Sequence, residues 1–87
     1  MIKYIGEDGT SKEKAIIILE AQNSFEGVDA EYLWLQEKSG EQNVEWRLVD
    51  QEFVDESAKQ YDLLRIEFAD GVIKEFWFDI TDFFDKE

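Results

Sequence analysis

Histidine, cysteine and proline are absent from this 87-residue chain. Without cysteine there is no disulfide, no thiolate nucleophile, no iron–sulfur ligand and no thiolate zinc site. Without histidine the usual near-neutral general base is missing, along with the commonest metal ligand. The serines Ser11, Ser24, Ser39 and Ser57 therefore have no imidazole to activate them, and no Gly-x-Ser-x-Gly elbow occurs. Glycine is scarce, and the one closely spaced pair lies in Gly6-Glu7-Asp8-Gly9, where acids stand at the place a phosphate would occupy. The longest aliphatic run, Ala15 to Leu19, is far shorter than the ~20 residues a membrane-spanning helix needs. The opening residues, Met1 to Asp8, hold no apolar core of signal-peptide length. The expectation is a cytoplasmic protein that does not enter a membrane.

Positive charge is the next scarcity. Nine Lys and Arg face 22 Asp and Glu, for a formal charge of −13. The excess is spread: net −1 over residues 1–20, −4 over 21–43, −3 over 44–60 and −5 over 61–87. The folded body itself is acidic, and there is no acidic tail. Direct contact with nucleic acid or an anionic membrane is disfavoured, because both rely on cationic side chains. A basic protein partner is allowed.

Hydrophobic residues make up 44% of the chain and aromatics 15%, enough for a core despite the charge. The length predicts one domain over residues 1–87, with no linker or internal repeat. Ile2 to Ile5 reads as a short strand, followed by the turn-rich Gly6 to Ser11. The β-branched run Ala15 to Leu19 reads as a strand buried on both faces. Asn23, with Glu26 three residues on, has the spacing of a capping box. Phe25, Val28, Tyr32 and Leu35 then make one helical stripe, ending at Lys38 and Gly40. Leu33 and Trp34 fall off that stripe.

Three strands follow. In Val44 to Val54 the alternation of Trp46 and Leu48 is broken at Val49, which predicts a bulge. Tyr61 to Phe68 and Val72 to Ile80 both carry their larger apolar residues at even positions. A two-residue Asp70-Gly71 turn would set even positions against odd ones. A three-residue loop with Gly71 left-handed pairs 68 with 72, 66 with 74 and 64 with 76, so the buried faces agree. That register predicts Arg65 opposite Glu75 and Leu63 opposite Trp77. Thr81 to Phe84 reads as a short helical turn capped by Thr81. The fold class is α+β: a mostly antiparallel sheet of four to five strands with one main helix on a face. The element order is β-β-α-β-β-β plus the final turn.

Gly9-Thr10-Ser11, Ala15-Ile16-Ile17-Ile18, Glu26 to Tyr32, Tyr61 to Leu64 and Phe78 to Phe84 together resemble a family of small uncharacterised bacterial proteins. The resemblance spans Gly6 to Phe84. It implies a compact bacterial domain and assigns no activity and no site residue.

No constellation calls for a metal, a cofactor or catalysis. Asp79, Asp82 and Asp85 are spaced by three, but a calcium loop's central glycine is missing. A carboxylate pair for glycoside hydrolysis needs a cleft that so short a chain has little room to form. The odd face of the last hairpin is more informative. Tyr61, Leu63, Ile73 and Trp77 lie there among Arg65, Glu67, Glu75 and Asp79. Either the 6–14 loop or the termini cover this face, or it is an aromatic contact surface rimmed by acids. Asp50 with Glu52, and Glu75 with Asp79, are the best strand columns for imitating a phosphate backbone, at about 6.6 Å per two-residue step. The sequence thus points to a non-catalytic acidic binding protein, an inhibitor, immunity or anti-defence protein that occupies a basic protein surface. Its partner-binding residues would be Asp50, Glu52, Tyr61, Leu63, Ile73, Glu75, Trp77 and Asp79. The alternative is a structural domain that forms a homodimer through the last hairpin face; the chain would otherwise be a monomer.

Overall fold

The structure, a computed structural model, describes residues 1–85. Strand β1 (Lys3–Gly6) leads through a 3-10 turn (Lys12–Lys14) into β2 (Ile16–Leu19). Helix α1 (Ser24–Ser39) follows, then β3 (Trp46–Asp55), β4 (Gln60–Phe68) and β5 (Ile73–Asp79). The five strands form one sheet in the order β1-β2-β5-β4-β3. The sheet is mixed: β2 runs parallel to β5, with Ile16 beside Phe78 and Ile17 beside Asp79, and the other strand pairs are antiparallel. Helix α1 is the crossover between the two halves. It follows β2 and returns the chain to β3 at the far edge, so that β5 comes back through the middle to meet β2.

The last hairpin takes the register set by its buried face. Leu63 pairs with Trp77, Leu64 with Phe76, Arg65 with Glu75 and Ile66 with Lys74. The turn needs Gly71 in the left-handed region, and its φ is 89°. The Phe68 amide donates to the Val72 carbonyl at 2.8 Å, which closes the three-residue loop. The break at Val49 is a bulge, where the pairing jumps from Leu48–Ile66 to Asp50–Arg65. Before it, Trp46 and Leu48 point to the helix side with Ile66 and Phe68. After it, Gln51 and Phe53 do so, and Asp50 and Glu52 turn to the outer face.

Asn23 caps α1 by accepting the Glu26 amide at 2.8 Å, and Glu26 accepts the Gln22 amide at 3.1 Å. The helix buries only part of the stripe its periodicity predicts: Leu35 is buried and Tyr32 packs half-buried against the core, but the first turns are rotated. Phe25 is 80% exposed and Val28 40%, whereas Gly27, Ala30, Glu31, Trp34 and Leu35 are buried. The reason is closeness. At Gly27 a Cβ would stand 2.5 Å from the Phe83 ring, so only glycine lets α1 descend onto that ring. Ala30 is small enough for the Tyr4 hydroxyl to reach its carbonyl at 2.7 Å. Two small residues steer the buried face, and the larger Phe25 and Val28 are left on the flank. At the other end the Trp46 indole donates to the Gly40 carbonyl at 2.6 Å, which ties the helix terminus to β3.

The core lies between α1 and the sheet: Ile16, Ile18, Trp34, Leu35, Trp46, Leu64, Ile66, Phe76, Phe78, Ile80 and Phe83. Trp34 meets Phe76 and Phe78 edge-on, each at 5.7 Å. Residues 81–85 form successive turns in place of the expected capped helical turn. The Thr81 hydroxyl is diverted from capping: it donates to Asp79 at 2.6 Å and accepts the Gln60 amide at 3.1 Å.

Gly27→Ala is expected to lower stability by about 2–3 kcal/mol, because the added methyl overpacks the Phe83 ring. Urea unfolding of the single variant and of the pair with Phe83→Leu checks it. In the Phe83→Leu background the penalty should shrink by at least about 1 kcal/mol. An equal penalty in both backgrounds would show that the cost does not come from the Phe83 ring, since helix propensity by itself favours alanine over glycine.

Candidate functional site

The outer face of the hairpin is two regions. Nearest the ends of the strands that meet Asp55 and Asp79, it is apolar and already covered. Tyr61 and Leu63 are buried, Trp77 is half-buried and packs edge-on against Tyr61 at 5.9 Å. The segment between β1 and β2 supplies the cover. The Gly9 carbonyl accepts the Trp77 amide at 2.7 Å, taking a ladder position beside β5. Lys12, in the 3-10 turn that follows, forms an ion pair with Glu56 beyond the end of β3. That pair raises the Lys12 pKa. Asp79 is buried too, and its carboxylate is committed to Thr81, accepting the amide at 3.0 Å and the hydroxyl at 2.6 Å.

The second region is charged. Arg65 donates to Glu75 at 2.7 Å, Asp50 at 2.9 Å and Glu52 at 3.4 Å. Hydrogen bonds to Asp50 and Glu75 raise the Arg65 pKa further above its ordinary value. Arg47 pairs with Glu67 beside this group. The strand column Asp50–Glu52 therefore closes on an arginine, which turns its oxygens away from the role of free phosphates. Ile73 remains 56% exposed at the margin. Of the eight residues read as partner-binding, the structure gathers Asp50, Glu52 and Glu75 on Arg65, buries Tyr61, Leu63 and Asp79, and leaves Trp77 and Ile73 at the edge.

The exposed aromatic surface lies on the other side of the sheet. Phe53 and Phe84 stack at 5.1 Å with an interplanar angle of 10°, and they are 48% and 38% exposed. The flank of α1 carrying Phe25, Val28 and Tyr32 borders β3, where the Tyr32 hydroxyl donates to Gln51 at 3.4 Å, two residues from Phe53. Acids stand next to these aromatics in the chain: Glu26, Asp29, Asp82 and Asp85. The bulge at Val49 held the signal for this surface, since it turns Phe53 to the helix side. The stacking with Phe84 had none, because it depends on how the C-terminal turn folds back.

Between α1 and β4 lies a pair of carboxyl groups. Glu31 is 1% exposed and Asp62 9%. One Glu31 oxygen has no hydrogen-bond partner among the described residues. Burial, and then the hydrogen bond and charge of Asp62, push the Glu31 pKa up to about 10. A value that high favours the protonated form of Glu31 at neutral pH, hydrogen-bonded to Asp62. Desolvation raises the neighbouring Tyr32 as well, followed by the charges of Glu31 and Asp62. So deeply enclosed a carboxyl meets no substrate. Among the described residues no three acids converge to hold a metal ion.

An open cleft of about 780 Å³ lies between β1 and the C-terminal half of α1. Trp34, Phe76 and Ile16 line its depth, and Phe68, Lys38 and Lys74 line one side. No helix among the described residues is long and apolar enough to cross a membrane. No family model, curated protein or solved structure matches the chain.

Because folding raises the Glu31 pKa, the folded state holds this proton more tightly than the unfolded chain. Its contribution is complete below about pH 4.5 and is lost progressively as pH rises toward about 10. Glu31→Gln, which cannot ionise, is expected to exceed the parent in stability by about 1–3 kcal/mol near pH 8. The gap should close toward about pH 4. Urea midpoints across that range test it, and a pH-independent gap would show that Glu31 is not proton-linked.

Proposed function

We propose that this is a non-catalytic binding protein whose acidic body engages a basic protein partner. The observation that carries the reading is the stacked Phe53–Phe84 pair, left exposed on a body of charge −13. Buried aromatics anchor protein contacts, and surrounding charge sets association rate and partner sign. The surface is placed where α1 and the C-terminal turn present large apolar side chains beside acids. The hairpin's outer face serves this role less well, because its aromatics are occupied by the chain's own 7–14 segment and its acids by Arg65. The same occupation removes the aromatic surface that a homodimer through that face would use. Inhibition, immunity or anti-defence activity toward a basic protein all remain within this reading.

The edges of the sheet support contact through side chains over strand addition. β1 is four residues long, and β3 is broken by a bulge and rich in charge. Short, bulged, charged edges resist pairing with another strand.

A lysate capture at about 50 mM and about 500 mM salt tests the proposal, since that range collapses the screening length severalfold. A single dominant basic protein should be retained at low salt and released at high salt. Phe53→Ser with Phe84→Ser should weaken its binding by at least about tenfold, as expected for paired anchor residues. Binding that ignores both salt and the aromatic pair would overturn the reading.

A further inference from the structure

Cations are scarce in this protein, and where the unpaired ones stand is informative. Of the described side-chain cations, Lys3, Lys12, Arg47, Lys59 and Arg65 are engaged by acids. Lys14, Lys38 and Lys74 form no ion pair with a described residue. Two of those three, Lys38 from the last turn of α1 and Lys74 from β5, line the same cleft. Phe68, half-buried, lines the cleft with them, and the Lys74 ammonium lies 5.5 Å from its ring centre. Deeper in, Trp34 and Phe76 meet edge-to-face. The volume is within the range of small-molecule sites, and an apolar depth with a few polar groups at the margin is their usual form.

We propose that this cleft binds a planar aromatic small molecule carrying one negative charge. The rings would lie in the depth formed by Trp34 and Phe76, and the anion would meet Lys38 and Lys74. The charge limit comes from Glu7, Asp8 and Glu37, which line the same cleft, Glu37 next to Lys38 on α1. Asp8 is tied to the Thr10 amide at 3.1 Å and hydroxyl at 2.8 Å, so it stays ionised, and these bonds lower its pKa. A carboxylate or sulfonate is tolerated beside two lysines. A phosphate dianion would add repulsion from three acids. The site is separate from the Phe53–Phe84 surface and does not depend on the protein-partner reading.

Anilinonaphthalene sulfonate is the probe, with neutral phenylnaphthylamine as its uncharged counterpart. The sulfonate should bind the folded protein saturably at one site, and amide resonances should shift around Trp34, Lys38, Phe68 and Lys74. Lys38→Gln with Lys74→Gln, both exposed positions, should leave the circular dichroism spectrum unchanged. This double change should weaken the sulfonate by about tenfold or more and the neutral compound by less than about twofold, since charge-assisted contacts are lost only by the anion. Naphthyl phosphate should bind more weakly than naphthalene sulfonate. Equal loss of both anilino compounds, tighter binding of the phosphate, or shifts centred on Phe53 and Phe84 would each overturn the proposal.

Discussion

A sheet has two faces, and this chain has one helix with which to cover them. That shortage organises the molecule. Helix α1 closes one face over Ile16, Ile18, Leu64, Ile66, Phe76 and Phe78. The other face is shared between a loop and a charge cluster. The apolar half, around Tyr61, Leu63 and Trp77, is closed by the segment containing Gly9 and Lys12. The remaining half is left to solvent as an arginine ringed by three carboxylates. The bulge at Val49 is what makes this division work on β3. Without the parity change, Asp50 and Glu52 would point to the helix side of the sheet, away from the arginine that now holds them.

Covering a face with one helix also demands close contact. Gly27 over Phe83 and Ala30 over Tyr4 bring the backbone of α1 down onto its neighbours. The same approach carries Glu31 into the interior against Asp62. Burial there, and then the hydrogen bond and charge of Asp62, hold the Glu31 pKa well above the usual carboxylate range. A core built this way trades some neutral-pH stability for helix placement, since the unfolded chain would release that proton freely.

Elements whose structure follows from parity were readable in the sequence. The Phe68–Val72 turn, the Arg65–Glu75 pairing and the bulge all follow from which residues must share a buried face. The Asn23 cap follows from local spacing. The orientation of α1 was legible only in part, because Leu35 of its apolar stripe is buried while Phe25 and Val28 are not. Gly27, Ala30 and Glu31 carry no hydrophobic signal, yet they occupy the contact, while Phe25 stands in solvent. The parallel β2–β5 pairing was hidden for another reason. It joins residues about sixty positions apart, Ile16 beside Phe78, and nothing in either sequence marks its neighbour. The covering of Tyr61 and Leu63 turned on the same kind of long-range fact, the docking of residues 9–12, whereas Asp79 is held by the local turn to Thr81.

Charge and aromatic surface are separated across the molecule in a way that bears on function. Five cations are consumed in ion pairs, so most of the surface presents uncompensated acid. Lys38 and Lys74 form no ion pair with a described residue and line a cleft that also holds Phe68, Glu7, Asp8 and Glu37. Phe53 and Phe84 stack on one another and stay partly exposed. The close approach at Gly27 and Ala30 leaves Phe25 and Val28 exposed on the flank of α1, next to Glu26 and Asp29 in the chain. Lysines, acids and apolar groups meet where the C-terminal half of the helix borders the cleft. The two surfaces differ in sign and in depth. A flat aromatic patch among acids suits the side chains of a basic protein, and a walled cleft with two lysines suits a small anion.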